Sequence, residues 1–148
     1  MIIKERIVYD MVASDSYYRG EALKGNALME ISEESKEAVR DLFLGGMSDL
    51  QAVINCFLGE CTQVIDEEEG FLVVNVRVKV PVLWPVTLCD ALSAAMYDYL
   101  AESVARRWLE KFGVVVAERD VTTKLRALMN RRRMPDVQDY KGIKIIEI

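Results

Sequence analysis

Apolar positions along this chain change their spacing several times, and each change marks an element. Ile3, Ile7 and Met11, with Val8 and Val12 beside them, recur at i, i+4 and predict a short N-terminal helix. The pattern fades at Ser14-Asp15-Ser16. Residues 14–31, with Gly20, Gly25 and Asn26, read mainly as a long surface loop with room for one helical turn. Ser32 followed by Glu33 and Glu34 is a helix start: a hydroxyl N-cap, then acids at the positive end of the helix dipole. Val39, Phe43, Leu50, Ile54, Phe57 and Cys61 then share one helical face, with Arg40, Asp41, Ser48 and Asn55 opposite. Gly45-Gly46 interrupts this helix, where each glycine costs roughly 1 kcal/mol against alanine. A kink, a close helix crossing or a plain break would each account for the pair. Gly59 is a natural end.

Beyond residue 60 the period falls to two. Leu72, Val74, Val76, Val78 and Val80 alternate with Val73, Asn75, Arg77 and Lys79, which is the pattern of a half-buried strand. Residues 61–66 can pair with it across Glu67-Glu68-Glu69-Gly70 as a hairpin, and Pro81 and Pro85 close the strand. Thr87 and Asp90 resemble a capping box for a long helix running to about Phe112, with Gly113 as its C-terminal cap. Leu88, Leu92, Ala95 and Tyr99 form one apolar face of that helix, and Tyr97, Leu100, Ala101, Val104 and Trp108 nearly the opposite one. Packing on two sides predicts a central position. Glu102 and Arg106 are ordered for an i, i+4 ion pair on its wet edge. A last helix, about 115–132, turns Ala117, Val121, Leu125 and Leu128 inward and stops at Pro135. The fold expected is helix-dominated α+β: a bundle of about four helices with an inserted β-hairpin (about 61–66 and 71–80). Residues 1–135 make its single domain, and 136–148 an extended C-terminal tail.

Charge adds a second pattern. Residues 1–70 carry 15 Asp/Glu against 6 Lys/Arg, whereas residues 71–148 carry 9 against 13, within a net charge of −5. A subunit acidic at one end and basic at the other is suited to meeting copies of itself head to tail. The basic part has a ridge: Arg119, Arg126 and Arg133 are seven apart, with Arg131 and Arg132 at its end. Three readings stay open for it: a solvated face complementing the helix dipole, a contact with the acidic half of a neighbour, or a contact with phosphates. Net acidity argues against nucleic-acid binding as the main task. In the tail, Ile143, Ile145 and Ile148 alternate with polar residues. Such a segment can extend a sheet edge of a neighbouring subunit, the outcome expected here, or fold back on its own hairpin.

Candidate chemistry is sparse. The chain has no histidine, so the commonest general base and the commonest zinc ligand are both missing. The run Asp66-Glu67-Glu68-Glu69 lacks the spacing of a calcium loop. There is no GxGxxG, GxxxxGK[ST] or GxSxG. Neither an enzyme, nor a cofactor, nor a metal, nor a small-molecule substrate is expected. No apolar stretch is long enough to cross a bilayer and no secretory leader is visible, so no membrane contact is expected. Cys56, Cys61 and Cys89 are odd in number and lack CxxC spacing, which suits reduced thiols in a cytoplasm.

The order of elements resembles a known group. A short helix precedes a loop with Tyr17-Tyr18-Arg19-Gly20, then an acid-capped helix from Ser32, a β excursion and a helix ending near Trp108-Leu109. The last helix closes in Arg131-Arg132-Arg133-Met134-Pro135. This pattern, over roughly residues 5–135, resembles small virion proteins of tailed phages and prophages of gut Bacteroidetes. More loosely, it resembles the head–tail connector (adaptor) proteins of long-tailed phages. The regular valine strand departs from an all-helical connector. The resemblance implies a non-catalytic subunit of the virion, assembled in the host cytoplasm. Its partners would be itself in a homo-oligomeric ring, portal and tail or neck proteins, and the DNA passing through. A tail-completion or terminator protein is the neighbouring alternative, and a small cytoplasmic regulatory or DNA-associated module the rival from another class.

Overall fold

A computed structural model describes residues 1–22, 31–57, 60–81, 84–113, 120–130 and 143–146. Among the described residues, four helices accompany an antiparallel sheet, with α1 and α2 against the strands, so the helix-dominated α+β fold is as expected. Strand β1 (Ile2–Lys4) runs directly into α1 (Glu5–Ala22), and a 3-10 turn at Glu33–Ser35 leads into α2 (Lys36–Phe57). The hairpin follows as β2 (Cys61–Glu68) and β3 (Phe71–Pro81). Helices α3 (Cys89–Glu110) and α4 (Val121–Asn130) come next, and β4 (Ile143–Ile146) is last.

The valine alternation is realised as drawn: Val74, Val76, Val78 and Val80 are buried and Asn75, Arg77 and Lys79 exposed. Strand β3 is the middle of the sheet. It pairs with β2 from Cys61↔Val78 to Glu68↔Phe71, with β1 at Ile3↔Val74 and with β4 at Lys79↔Ile145. The two-residue turn Glu69-Gly70 has φ of 52° and 78°, the doubly left-handed geometry that tight hairpins favour. Glycine suits its second position.

Helix α2 presents Val39, Phe43, Met47, Leu50 and Ile54 to the core. It runs through Gly45-Gly46 without a break, because the pair marks a close crossing with α3. A Cβ on Gly46 would stand 3.3 Å from Leu100 Cδ2, and one on Gly45 would meet Arg107 Nη1 at 2.7 Å. That clearance lets Arg107 reach over Gly45 to its ion-pair partner Asp49. Helix α3 packs against α1, α2 and α4, the central place its two apolar faces require. Leu92, Met96, Leu100, Val104 and Trp108 are all buried along it.

Several expectations are corrected. Ile3 belongs to a strand, Ile7 is 42% exposed, and α1 instead turns Glu5, Val8 and Val12 inward. Residues 14–22, read as loop, continue α1; residues 23–30 lie outside the described residues. Cys61 opens β2 rather than closing α2. Ser32 stands before the 3-10 turn as anticipated, but its hydroxyl makes no capping hydrogen bond, and none caps α3. The described part of the last helix begins at Val121, where Asp120 Oδ1 accepts the Thr123 amide at 3.1 Å. Glu102 is buried because α4 packs on α3, so no wet edge exists there. The buried Nε of Arg106 has no hydrogen-bond partner among the described residues.

Trp108 is 6% exposed, with Phe112 edge-on at 5.5 Å between ring centroids. Trp108→Ala is expected to lower unfolding free energy by about 3–5 kcal/mol, as large core truncations do. Urea unfolding followed by circular dichroism measures this; a loss below about 1 kcal/mol would contradict the packing.

Candidate functional site

The hairpin tip is held by a buried carboxylate. Glu5, 1% exposed, accepts from Arg40 Nε at 3.2 Å and from the Leu72 amide at 2.9 Å. Arg40 Nη2 donates to the Gly70 carbonyl at 2.6 Å, so one guanidinium spans α2, the start of α1 and the turn. Phe71 is clasped beside it: Lys36 Nζ lies 3.9 Å from its ring centroid and Tyr9 stands edge-on at 5.7 Å. Glu67 and Glu69 each have a weak, exposed ion pair, with Arg40 at 4.0 Å and Arg6 at 3.6 Å. Asp66 and Glu68 are exposed with no ion pair among the described residues. Glu33, Glu34, Glu37 and Asp41 are exposed nearby in sequence at the start of α2. The Tyr9 phenol titrates above its ordinary value, first through burial and then through the charges of Glu33 and Asp10.

Hydrogen-bond parity shows which way each β2 residue turns its backbone. The Lys79 amide donates to the Glu60 carbonyl at 2.9 Å, so even-numbered β2 residues bond to β3. Odd-numbered residues turn their amides and carbonyls outward. Cys61 confirms this: its amide donates to Asn55 Oδ1 and its carbonyl accepts from Gln51 Nε2, both at 2.7 Å and both from α2. The edge is thus covered at Cys61. Among the described residues no strand pairs with it at Gln63, Ile65 or Glu67. Val64 is 53% and Ile65 48% exposed on this stretch, two of the largest apolar exposures described.

The opposite side of β3 is taken by β1 and β4. Val76 exchanges hydrogen bonds with Met1, and the Tyr97 hydroxyl accepts from the Lys4 amide at 2.9 Å and donates to the Ile2 carbonyl. Strand β4 pairs with β3 on that same margin, since Val78 already faces Cys61 on the other. The tail was expected on a neighbour's sheet. Instead Ile143–Ile146 return to their own β3, because β1 is too short to cover Val78–Pro81 and an intrachain strand has no translational entropy to lose.

Of the basic ridge, Arg126 lies on α4 and is exposed. Hydrogen bonds from Thr123 hold the Asp120 carboxyl below its ordinary range, and the charge of Arg126 adds to this. Arg119, Arg131, Arg132, Arg133 and Ile148 lie outside the described residues. Two hollows are shallow. One of about 100 Å³ beside the tip is lined by Lys4, Arg6, Glu68 and Phe71, and one of about 50 Å³ by Tyr99, Glu102, Arg106 and Thr122. Ligand pockets usually enclose about 300–1,000 Å³. Among the described residues, the β2 margin presents a strand edge with apolar and acidic side chains. No family model, curated protein or solved structure matches this chain.

Three expected outcomes follow from these features. Glu5→Ala orphans the Leu72 amide and leaves Arg40 without its buried partner. It should cost about 2–4 kcal/mol by urea unfolding, somewhat under the ~3–5 for breaking a fully buried pair, because Arg40 keeps partial exposure. Burial pushes the Cys61 thiol from 9.0 up to about 11, while the N-terminal charge opposes that shift. The neutral thiol is favoured in the folded state, so this stability is present below pH 9 and lost as pH rises toward 11. Cys61→Ala should flatten the decline between these limits. A disulfide-exchange reagent at pH 8 should meanwhile label exposed Cys56 before buried Cys61 and Cys89.

Proposed function

We propose that this chain is a non-catalytic structural subunit that works by assembling with copies of itself. The observation that carries this reading is the β2 edge, which no strand covers among the described residues and where exposed Val64 and Ile65 adjoin exposed Asp66 and Glu68, in a chain whose second half is basic. An edge of that kind is a template for another strand. An acidic face meeting a basic face of the next copy is a heterologous contact, which closes into a ring when the rotation per subunit allows. The resemblance in element order to connector proteins suggests where such a ring would work. We place it at the neck of a tailed phage, between portal and tail, assembled in the bacterial cytoplasm and retained in the virion. A tail-completion or terminator subunit would use the same contacts.

Electron microscopy and native mass spectrometry test this directly. Rings are expected, with a mass several times 16.8 kDa. Arg126→Glu combined with Arg133→Glu should weaken them, and raising salt to about 1 M should loosen them, since screening then reaches within ~3 Å. A monomer at every concentration would defeat the reading. A salt-sensitive DNA complex of the monomer would point to the regulatory module instead.

A further inference from the structure

We propose that the β2 edge receives residues 131–136 of a second copy as an added antiparallel strand, a contact that rests on the self-assembly reading above and specifies it. Gln63, Ile65 and Glu67 turn their amides and carbonyls outward by the parity that Glu60 and Cys61 establish. Strand addition satisfies such groups and takes its specificity from alternate side chains.

Along the edge the side chains run apolar, apolar, acidic, acidic, acidic: Val64, Ile65, Asp66, Glu67, Glu68. An antiparallel complement must therefore run basic, basic, basic, apolar. Arg131-Arg132-Arg133-Met134 is such a segment, and the only run of three basic residues in the chain. Its register is set by charge. Met134 faces Ile65, Arg133 faces Asp66, Arg132 faces Glu67 and Arg131 faces Glu68. Directly opposed opposite charges stabilise a ladder, and Asp66 and Glu68 have no ion pair of their own among the described residues.

Pro135 tests the register, and it fits. It falls opposite Val64, whose backbone is directed to β3, so the residue facing it has its own nitrogen directed away from β2. A proline there removes no hydrogen bond of the new ladder, the position in which edge strands accept it. A second β2 is a poor occupant by comparison. It would bring Asp66, Glu67 and Glu68 of both copies onto one seam, and charge on an edge is a common guard against such self-pairing.

Sedimentation velocity on the full chain tests the contact, with circular dichroism melting to confirm that each variant is folded. The edge variant is Asp66→Arg with Glu68→Arg, and the segment variant is Arg131→Glu with Arg133→Glu. Each alone should weaken association at least about tenfold, and an equimolar mixture should restore it, because every edge then finds a segment of opposite charge. Ile65→Pro removes one outward amide and no β2–β3 bond, and should weaken association comparably. If the natural chain assembles and all these variants assemble as it does, the edge contact is wrong while self-assembly stands. If the segment variant assembles normally and the edge variant does not, another occupant, such as a second β2 or Arg126, takes the edge and the inference is overturned. If the variants lower melting temperature without changing association, the segment docks within its own subunit, which also overturns it. A natural chain that is monomeric throughout removes both the contact and the assembly reading.

Discussion

The Glu5 carboxylate is the constraint on which the rest of the arrangement depends. It is nearly solvent-free, and a charge so placed is tolerated only when its oxygens are filled by donors. Arg40 from α2 and the Leu72 amide from β3 supply them, and Arg40 then reaches on to the Gly70 carbonyl. Three segments distant in sequence are tied at one point. With that point fixed, the turn sits against α2, and β1, immediately before Glu5, is aligned along β3 at Ile3↔Val74. Hydrophobic burial supplies most of the driving force for this core. It is non-directional, however, whereas the carboxylate–guanidinium contact selects one placement of the hairpin over the others that would bury the same valines.

Legibility in the sequence follows the range of the forces involved. The β3 alternation and the α2 stripe of Val39, Phe43, Leu50 and Ile54 are set by side-chain periodicity along one segment, and both were readable. Gly45-Gly46 gave a signal without a unique meaning, since a crossing and a break leave the same mark; only Leu100 and Ser103 across the gap decide between them. Strand β1 was not readable. Three residues are too few to show a period of two, and they run into a helix whose own i, i+4 spacing absorbs Ile3. Glu5 was equally hidden, because Lys4-Glu5-Arg6 looks like any solvated polar run. Nothing local distinguishes the one buried member from its exposed neighbours.

The candidate surface was legible in charge and illegible in geometry. Counting acids and bases by halves set an acidic first half against a basic second half, without singling out the hairpin tip. The same count drew attention to a basic helix face, of which Arg126 alone lies on described residues. What it could not show is that Val64 and Ile65 remain exposed at a strand edge. That depends on which side of β3 each partner takes, a property of topology. The open edge could have been suspected from one feature: Val64-Ile65 directly precedes a run of four acids, and an apolar pair needed only for the core has no reason to be flanked so heavily.

The two sides of the sheet are treated differently, and the difference bears on the proposed assembly. Along the β1 margin the open groups are covered one by one, by Met1, by the Tyr97 hydroxyl and by β4. Along the β2 margin Gln51 and Asn55 cover Cys61 and coverage by paired backbone goes no further among the described residues. A margin protected merely against aggregation needs charge of either sign. One that carries three successive acids beside two apolar residues excludes its own kind while favouring a basic extended segment. Exclusion of like by like disfavours a dimer built on two β2 edges. Under the proposed self-assembly, two arrangements satisfy the complementarity that is left: a two-fold pair that exchanges segments reciprocally, and a head-to-tail contact that repeats from copy to copy and either closes or continues. In either one, the asymmetric distribution of charge along the sequence would aid encounter between subunits.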